Sequence, residues 1–153
     1  MFLEFVEEQI ILFIALGVVV AMLLSTYLGD KISGFTSVSA DEAVRLYNND
    51  AKFFDVRTGA EYKTGHIGEA VNISSTEVDS RINTLTKDKE DAILVYCQSG
   101  SRSAGVAKKL VKAGYTNVNN LSGGILAWKN AGLPINKPVS KKEKKKKGKN
   151  KND

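Results

Sequence analysis

The sequence predicts an α/β fold: a parallel sheet flanked by helices, preceded by one transmembrane helix and followed by a disordered basic tail. Three observations predict it. Short apolar runs alternate with helix-like periodic segments from Thr36 to Pro134, the pattern of a parallel sheet covered on both faces. Ile10 to Leu28 runs nineteen residues without a charge and is rich in Ile, Leu and Val, which at helical rise approaches the roughly 30 Å of a bilayer's hydrocarbon. From Lys137 onward nine lysines face only Glu143 and Asp153, a composition with too little apolar surface to order itself.

These features divide the 153 residues into an acidic N-terminal segment (1–9), a transmembrane helix (10–28), a linker (29–35), a folded domain (36–136) and the lysine-rich tail (137–153). A domain of that size buries a core without staples. The net charge of +5 belongs to the tail, whose surplus of seven leaves the rest of the chain at −2. Basicity therefore gives no sign of a nucleic-acid surface on the domain. The single cysteine excludes an intramolecular disulfide and a thiolate-based zinc site, and a free thiol kept reactive fits a reducing compartment.

The segment before the apolar stretch carries Glu4, Glu7 and Glu8 and no Lys or Arg, unlike the positive start of a secretory signal peptide. Basic residues lie on the other flank, at Lys31, Arg45 and in the tail, which places the domain on the cytoplasmic side of a cell (inner or plasma) membrane as a single-pass protein. Ala15, Gly17 and Ala21 could pack against another helix, that of a membrane-protein partner, although an ordinary lipid-facing helix is the commoner case.

Within the domain, Thr36 to Val38 reads as a brief strand. Ser39-Ala40-Asp41-Glu42 is a capping box opening a helix through Tyr47, which Asn48-Asn49-Asp50 stops. Lys52 to Val56 is a second strand, and Thr58-Gly59-Ala60-Glu61 repeats the capping box for a short helix finishing at Gly65. Ala70 to Ile73 is a third strand, Thr76 to Leu85 a weaker helical segment, and Thr86 to Asp91 a charged turn. Ala92 to Tyr96 reads as a buried strand, after which Ala104, Ala107, Leu110 and Val111 recur at helical spacing until Gly114. Asn117 to Leu121 is the last strand. Ser122-Gly123-Gly124 then turns the chain into a helix whose Ile125, Leu126, Ala127 and Trp128 are assigned to the core.

The chemistry concentrates between the buried strand and the helix after it, in Cys97-Gln98-Ser99-Gly100-Ser101-Arg102-Ser103. A strand turning sharply into a helix leaves backbone N–H groups without internal partners, a cradle for an anion. A cysteine at its rim, with Arg102 closing the turn, is expected to be shifted toward the thiolate. A lone cysteine is most often a small buried hydrophobe; the polar, glycine-containing turn and the arginine favour a reactive thiol here. His66, the sole histidine, invites a Cys–His pair, but a loop imidazole that bonds backbone and holds segments together is the commoner role. Asp55 and Arg57, at the end of the second strand, read as a structural ion pair. Strand ends are where parallel sheets bind ligands, and Cys97 and Asp55-Val56-Arg57 occupy two of them.

This loop closely resembles the active-site loop of the single-domain rhodaneses, the sulfurtransferases. Phe54-Asp55-Val56-Arg57 with Glu61-Tyr62, Gly65-His66-Ile67-Gly68 and Ala70-Val71-Asn72-Ile73 is similar to a second signature of that family, and Leu121-Ser122-Gly123-Gly124-Ile125 with Ala127-Trp128 and Gly132-Leu133-Pro134 to a third. The resemblance covers about Thr36 to Pro134 and reaches neither the first thirty residues nor the tail. It implies a rhodanese-like sheet and transfer of sulfane sulfur, from a donor such as thiosulfate to cyanide or a thiol acceptor, through a persulfide on Cys97. Arg102 would support the thiolate and an anionic donor; the amides from Gln98 through Ser99, Gly100 and Ser101 to Ser103 would cradle the terminal sulfur. Asp55, Arg57 and His66 would support the loop, with no cofactor or metal.

Other partners follow from the flanks: membrane lipid through 10–28, and anionic lipid or RNA for the tail, with each lysine near an anionic leaflet attracted by about 1 kcal/mol. Two rival readings stand beside the enzyme. One is a non-catalytic docking or scaffold module at the membrane, since a fold does not establish an activity. The other is a cysteine phosphatase, because the cell-cycle dual-specificity phosphatases share the rhodanese-like fold. Their loop separates Cys and Arg by five residues; only four, Gln98 to Ser101, intervene here, and the shorter loop should not encircle a phosphate.

Overall fold

The structure is a computed structural model that describes residues 10–137, the side chains of 26–32 excepted. The acidic segment 1–9 and the lysine-rich tail from 138 onward lie outside the described residues. The chain divides after Gly34 into two compact units.

The first unit holds helix α1 (Ile10–Ser33). Its large apolar side chains from Ile10 to Leu24 are exposed, Ile11 by 80% and Met22 by 70%. Among the described residues no helix is long and apolar enough to cross a membrane. The apolar side chains described between Ile10 and Ser25 form a stretch shorter than the roughly 20 residues that a span requires, and the transmembrane helix expected over 10–28 is not supported. The linker expected over 29–35 is corrected. The helix continues to Ser33, and the chain turns at Gly34 with φ 71°. One interior glycine costs a helix only about 1 kcal/mol relative to alanine, so Gly29 does not stop it; Gly34 adopts the left-handed conformation that ends helices.

The second unit contains, in order, β1 (Thr36–Val38), α2 (Ala40–Asn48), β2 (Lys52–Asp55), α3 (Gly59–Lys63), β3 (Val71–Asn72), α4 (Val78–Arg81), a 3-10 turn (Ile82–Thr84), β4 (Ile93–Tyr96), α5 (Ser101–Lys112), β5 (Val118–Leu121) and α6 (Gly124–Asn130). The five strands form one sheet in the order β1-β5-β4-β2-β3, every pairing parallel. Both capping boxes form: Ser39 and Glu42 satisfy each other's backbone amides at the start of α2, and Thr58 and Glu61 do so at the start of α3. Each satisfies two amides that a helix start leaves without partners.

Successive strand residues face opposite sides of the sheet, and the core divides accordingly. Ile93, Val95, Phe54, Val106 and Leu110 belong to one cluster; Leu94, Tyr96, Phe53, Ile125 and Trp128 belong to the other. All four residues of β4 are fully buried, which is why the central strand reads as a continuous apolar run rather than an alternating one. Phe35, assigned to the linker, is buried in the first cluster. Leu126, assigned to the core, is 43% exposed. Ile125 and Trp128 stand three positions apart on one face of α6, and Leu126 lies off it.

Candidate active site

The position of the site follows from topology. β2 and β4 are neighbours, with Asp55 paired to Tyr96 at their carboxyl ends. The chain leaves β2 for β3 at one edge and leaves β4 for β5 on the opposite side. Adjacent strands whose connections part in this way open a crevice, the place where parallel sheets bind ligands. Cys97 directly follows β4, and Val56 and Arg57 directly follow β2.

The loop from Cys97 to Gly100 turns β4 into α5. Gly100 precedes the helix with φ 92° and ψ −12°, the left-handed region where a glycine carries no Cβ penalty. A Cβ there would also meet Leu121 O at 3.0 Å and Gly123 N at 3.1 Å. Folded this way, the loop brings the Gly100 amide to donate to Cys97 Sγ at 3.1 Å, with the Ser103 hydroxyl at 3.5 Å. Burial pushes the fully covered thiol up, because a thiolate loses its water. The hydroxyl and amide of Ser103 and the amides of Ser99 and Gly100 together outweigh burial and hold Cys97 below its ordinary value of 9.0.

Neighbouring elements hold this loop. The Gly100 carbonyl accepts from Ala104 N at 3.1 Å, Ser103 Oγ at 3.1 Å and Asn120 Nδ2 of β5 at 3.3 Å. The first turn of α6 reaches it from the other side, Ile125 N donating to Cys97 O at 2.9 Å and Leu126 N to Gln98 O at 3.3 Å. That approach needs a residue without a side chain at 124, since a Cβ there would lie 2.5 Å from Cys97 O.

Arg57 is buried, and so is its partner Asp55. Its Nε donates to Asp55 Oδ1 at 2.9 Å and its Nη2 to Oδ2 at 2.6 Å and to Gly65 O at 2.7 Å. Nη1 reaches Gln98 Oε1 at 3.5 Å, so the pair touches the cysteine loop through Gln98. Burial opposes the guanidinium's charge, yet the Asp55 carboxylate more than offsets it and raises Arg57 above its ordinary value. The same surroundings, burial first and then Asp55, push the Tyr96 phenol far up; its hydroxyl accepts from Ile67 N at 3.0 Å.

Arg102 does not serve the cysteine alone. Its Nη2 donates to Glu61 Oε1 at 2.8 Å and its Nη1 to Glu61 Oε2 at 3.1 Å. These bonds, with the Thr58 amide, hold the Glu61 carboxyl at about 2. The guanidinium is raised first by Glu61 and only to a lesser degree by the Cys97 sulfur. The support expected from Arg102 is thus divided between a carboxylate and a thiolate.

Ser99 and Ser101 are exposed on the loop and Gln98 is half-buried. His66 is not bonded to Cys97. Its ring stacks on Tyr62 with centroids 4.0 Å apart, and its backbone exchanges two hydrogen bonds with Asn136, at 2.8 and 2.7 Å. It fastens the turn after α3 to the end of the domain. Among the described residues no group of three or more His, Cys, Asp or Glu side chains could hold a metal ion. A cleft of about 1010 Å³ is lined by Tyr47, Phe53, Glu69, Val71 and Leu85 among others, and none of residues 97–103 lines it; the thiol's chemistry belongs to the strand-end crevice. Glu61, Asn120 and Gly124 are site neighbours that sequence reasoning did not assign to this chemistry. The one signal for Asn120 was a pair of asparagines inside a strand that had to be buried.

The rhodanese-like domain model matches residues 39–131. The chain belongs to the rhodanese-like domain family. A sulfurtransferase of Allochromatium vinosum is 38% identical over 89 residues, covering 58% of this chain and 81% of that protein. Thiosulfate sulfurtransferase 18 of Arabidopsis thaliana is 36% identical over 119 residues, covering 69% of this chain and 87% of the plant protein. Among solved structures, a rhodanese-related protein from Thermoplasma volcanium superposes with a TM-score of 0.59 at 30% identity, over 67% of this chain and 98% of the other. The family match spans β2 to β5 of the sheet, the crevice and the cysteine loop.

Proposed function

We propose that this rhodanese-like domain is a thiosulfate-sulfurtransferase-like enzyme that carries sulfane sulfur on Cys97. The observation that carries the reading is the direction of the Gly100 amide and Ser103 hydroxyl at the Cys97 sulfur, which favours the nucleophilic thiolate. In the first half-reaction the thiolate attacks the outer sulfur of thiosulfate. A Cys97 S–S bond forms, the bond to the sulfonate sulfur breaks, and sulfite leaves with the electron pair. In the second, cyanide or a thiolate attacks the terminal persulfide sulfur and Cys97 leaves as thiolate. The nucleophile itself carries the group, so the charge balances in each half without a cofactor. The names of the Allochromatium and Arabidopsis relatives agree with this reaction.

Anchoring to the cytoplasmic face of a cell membrane through 10–28 is part of the same proposal. It is supported by the exposed apolar side chains of α1, a surface that water does not stabilise and lipid does. Retention of the full chain in membranes washed with alkaline carbonate is the expected outcome; release into the supernatant would remove the anchor. The lysine-rich tail would then meet anionic lipid rather than RNA, and a membrane-protein partner remains an additional contact through the small residues of α1.

A second reading, the non-catalytic docking module, is favoured by one observation: Cys97 is fully buried. Turnover of thiosulfate and cyanide separates the two. The enzyme reading expects thiocyanate production and a mass gain of one sulfur atom, both lost in Cys97→Ala. No Cys97-dependent turnover and no trapped persulfide would leave the docking module.

A further inference from the structure

Glu61 closes the mouth of the site with a charge that the reaction described above does not use. It sits in the first turn of α3, the element after β2, and Arg102 sits in the first turn of α5, the element after β4. Their ion pair therefore joins the two connections that flank the crevice. Each carboxylate oxygen accepts from one terminal guanidinium nitrogen, at 2.8 and 3.1 Å, the same two-point geometry that a sulfonate or carboxylate of an incoming donor would seek. The pair is accessible, Arg102 by 41% and Glu61 by 34%, so an incoming anion can compete for it. Glu61 does not depend on Arg102 to stay in place. Its Oε2 also accepts from Thr58 N at 3.0 Å and Thr58 Oγ1 at 2.9 Å, and this capping box holds the carboxylate at the mouth when the guanidinium turns away.

We infer that Glu61 is a specificity-determining residue: an internal counter-ion that occupies Arg102 and makes the site discriminate against dianionic sulfur donors in favour of singly charged ones, such as thiol persulfides and organic thiosulfonates. A donor that takes Arg102 must displace Glu61 and then sit beside its released negative charge. Repulsion grows with each charge the donor carries, so thiosulfate, at two charges, is penalised more than a monoanion delivering the same sulfur.

This inference rests on the sulfurtransferase reading, and one of its two tests is independent of it. Glutamine at 61 keeps an oxygen for the Thr58 amide while losing the charge and the oxygen that accepts from Arg102 Nη2, so Glu61→Gln is the variant of choice. Alkylation of Cys97 by iodoacetate, an anion, is compared with alkylation by neutral iodoacetamide; their ratio reads the charge at the mouth and cancels changes in thiolate fraction. The ratio is expected to rise in Glu61→Gln by about three- to fivefold at low salt, the scale of an exposed ion pair, and by a smaller factor when Arg102→Gln is added, because only the carboxylate's repulsion is then removed. In turnover with cyanide, the KM for thiosulfate should fall by a similar factor while that for methanethiosulfonate, a monoanion, moves less. An unchanged alkylation ratio, a rise as large without Arg102 as with it, or equal KM changes for the two donors would overturn the inference. If wild type shows no turnover, the sulfurtransferase reading fails while the alkylation ratio still decides whether Glu61 masks Arg102. Circular dichroism of the variant controls for folding; should Glu61→Gln not fold, the ratio in Arg102→Gln, where Glu61 stands uncompensated, must lie below that of wild type and rise toward it as salt screens the carboxylate, and a salt-independent difference overturns the masking.

Discussion

Arg57 and Arg102 stand at the same end of the sheet, and each grips one carboxylate through two nitrogens. They differ in burial. The Asp55–Arg57 pair is almost wholly enclosed, at 0% and 1% exposure, whereas Glu61–Arg102 remains open to water. In the interior, each charge has given up its hydration and depends on its partner, with Gly65 O taking a further bond. At the mouth, water substitutes cheaply for either partner, so that pair is weak and exchangeable. Identical chemistry thus yields a structural rivet in one place and a replaceable contact in the other.

The sharpest way to break this comparison is to remove one partner from each pair. Asp55→Ala strands a buried guanidinium and should lower stability by about 3–5 kcal/mol, read from the urea midpoint. If it costs no more than Glu61→Ala, burial is not what separates the two pairs. Gly124→Ala comes next. Its Cβ collides with the backbone of Cys97 and Gln98, and overpacking of this kind costs about 1–3 kcal/mol; displaced carbonyls should also slow alkylation of Cys97. Retained reactivity would mean that α6 does not hold the loop.

Ser103→Ala removes a hydroxyl donor from the sulfur while leaving the Gly100 amide in place. Alkylation by iodoacetamide at neutral pH should slow by on the order of tenfold, as for a lost bond to a charged group, and its pH profile should move upward. A profile that stays in place would assign the thiolate to the backbone amides alone.

The smallest effect concerns acid. Glu61 is held at about 2 against an ordinary 4.5, so the folded state binds its proton less readily than the unfolded chain. Its contribution is present above pH 4.5 and is lost as pH falls through about 2. Because the pair is exposed, the contribution is only about 0.2–1 kcal/mol. The gap in stability between wild type and Glu61→Gln should close on acidification and narrow with salt. A gap that persists near pH 2 would belong to the cap rather than the charge.

Much of this was legible before any coordinates. The capping boxes at Ser39 and Thr58 act over three residues, so spacing alone reveals them. The run from Ile93 to Tyr96 announced a strand buried on both faces, and the polar turn after it located the cysteine loop. Local patterns did less well where a neighbour decides the outcome. The polar stretch from Gly29 read as a linker because local polarity does not show that a long helix before it carries on to Ser33, and Leu126 read as core because apolar character does not tell which way a short helix faces.

By itself the sequence determined the alternation of strands and helices, the helix starts and the strand-end position of Cys97, because each depends on residues within a few positions of one another. Only the tertiary structure decided that Arg102 pairs with Glu61, that Asn120 holds the Gly100 carbonyl, and that α6 presses its glycine against the cysteine loop. Those contacts join residues from twenty to forty-one positions apart. They exist because strand order brings separate connections to one crevice, and strand order is set by packing rather than by any local spacing.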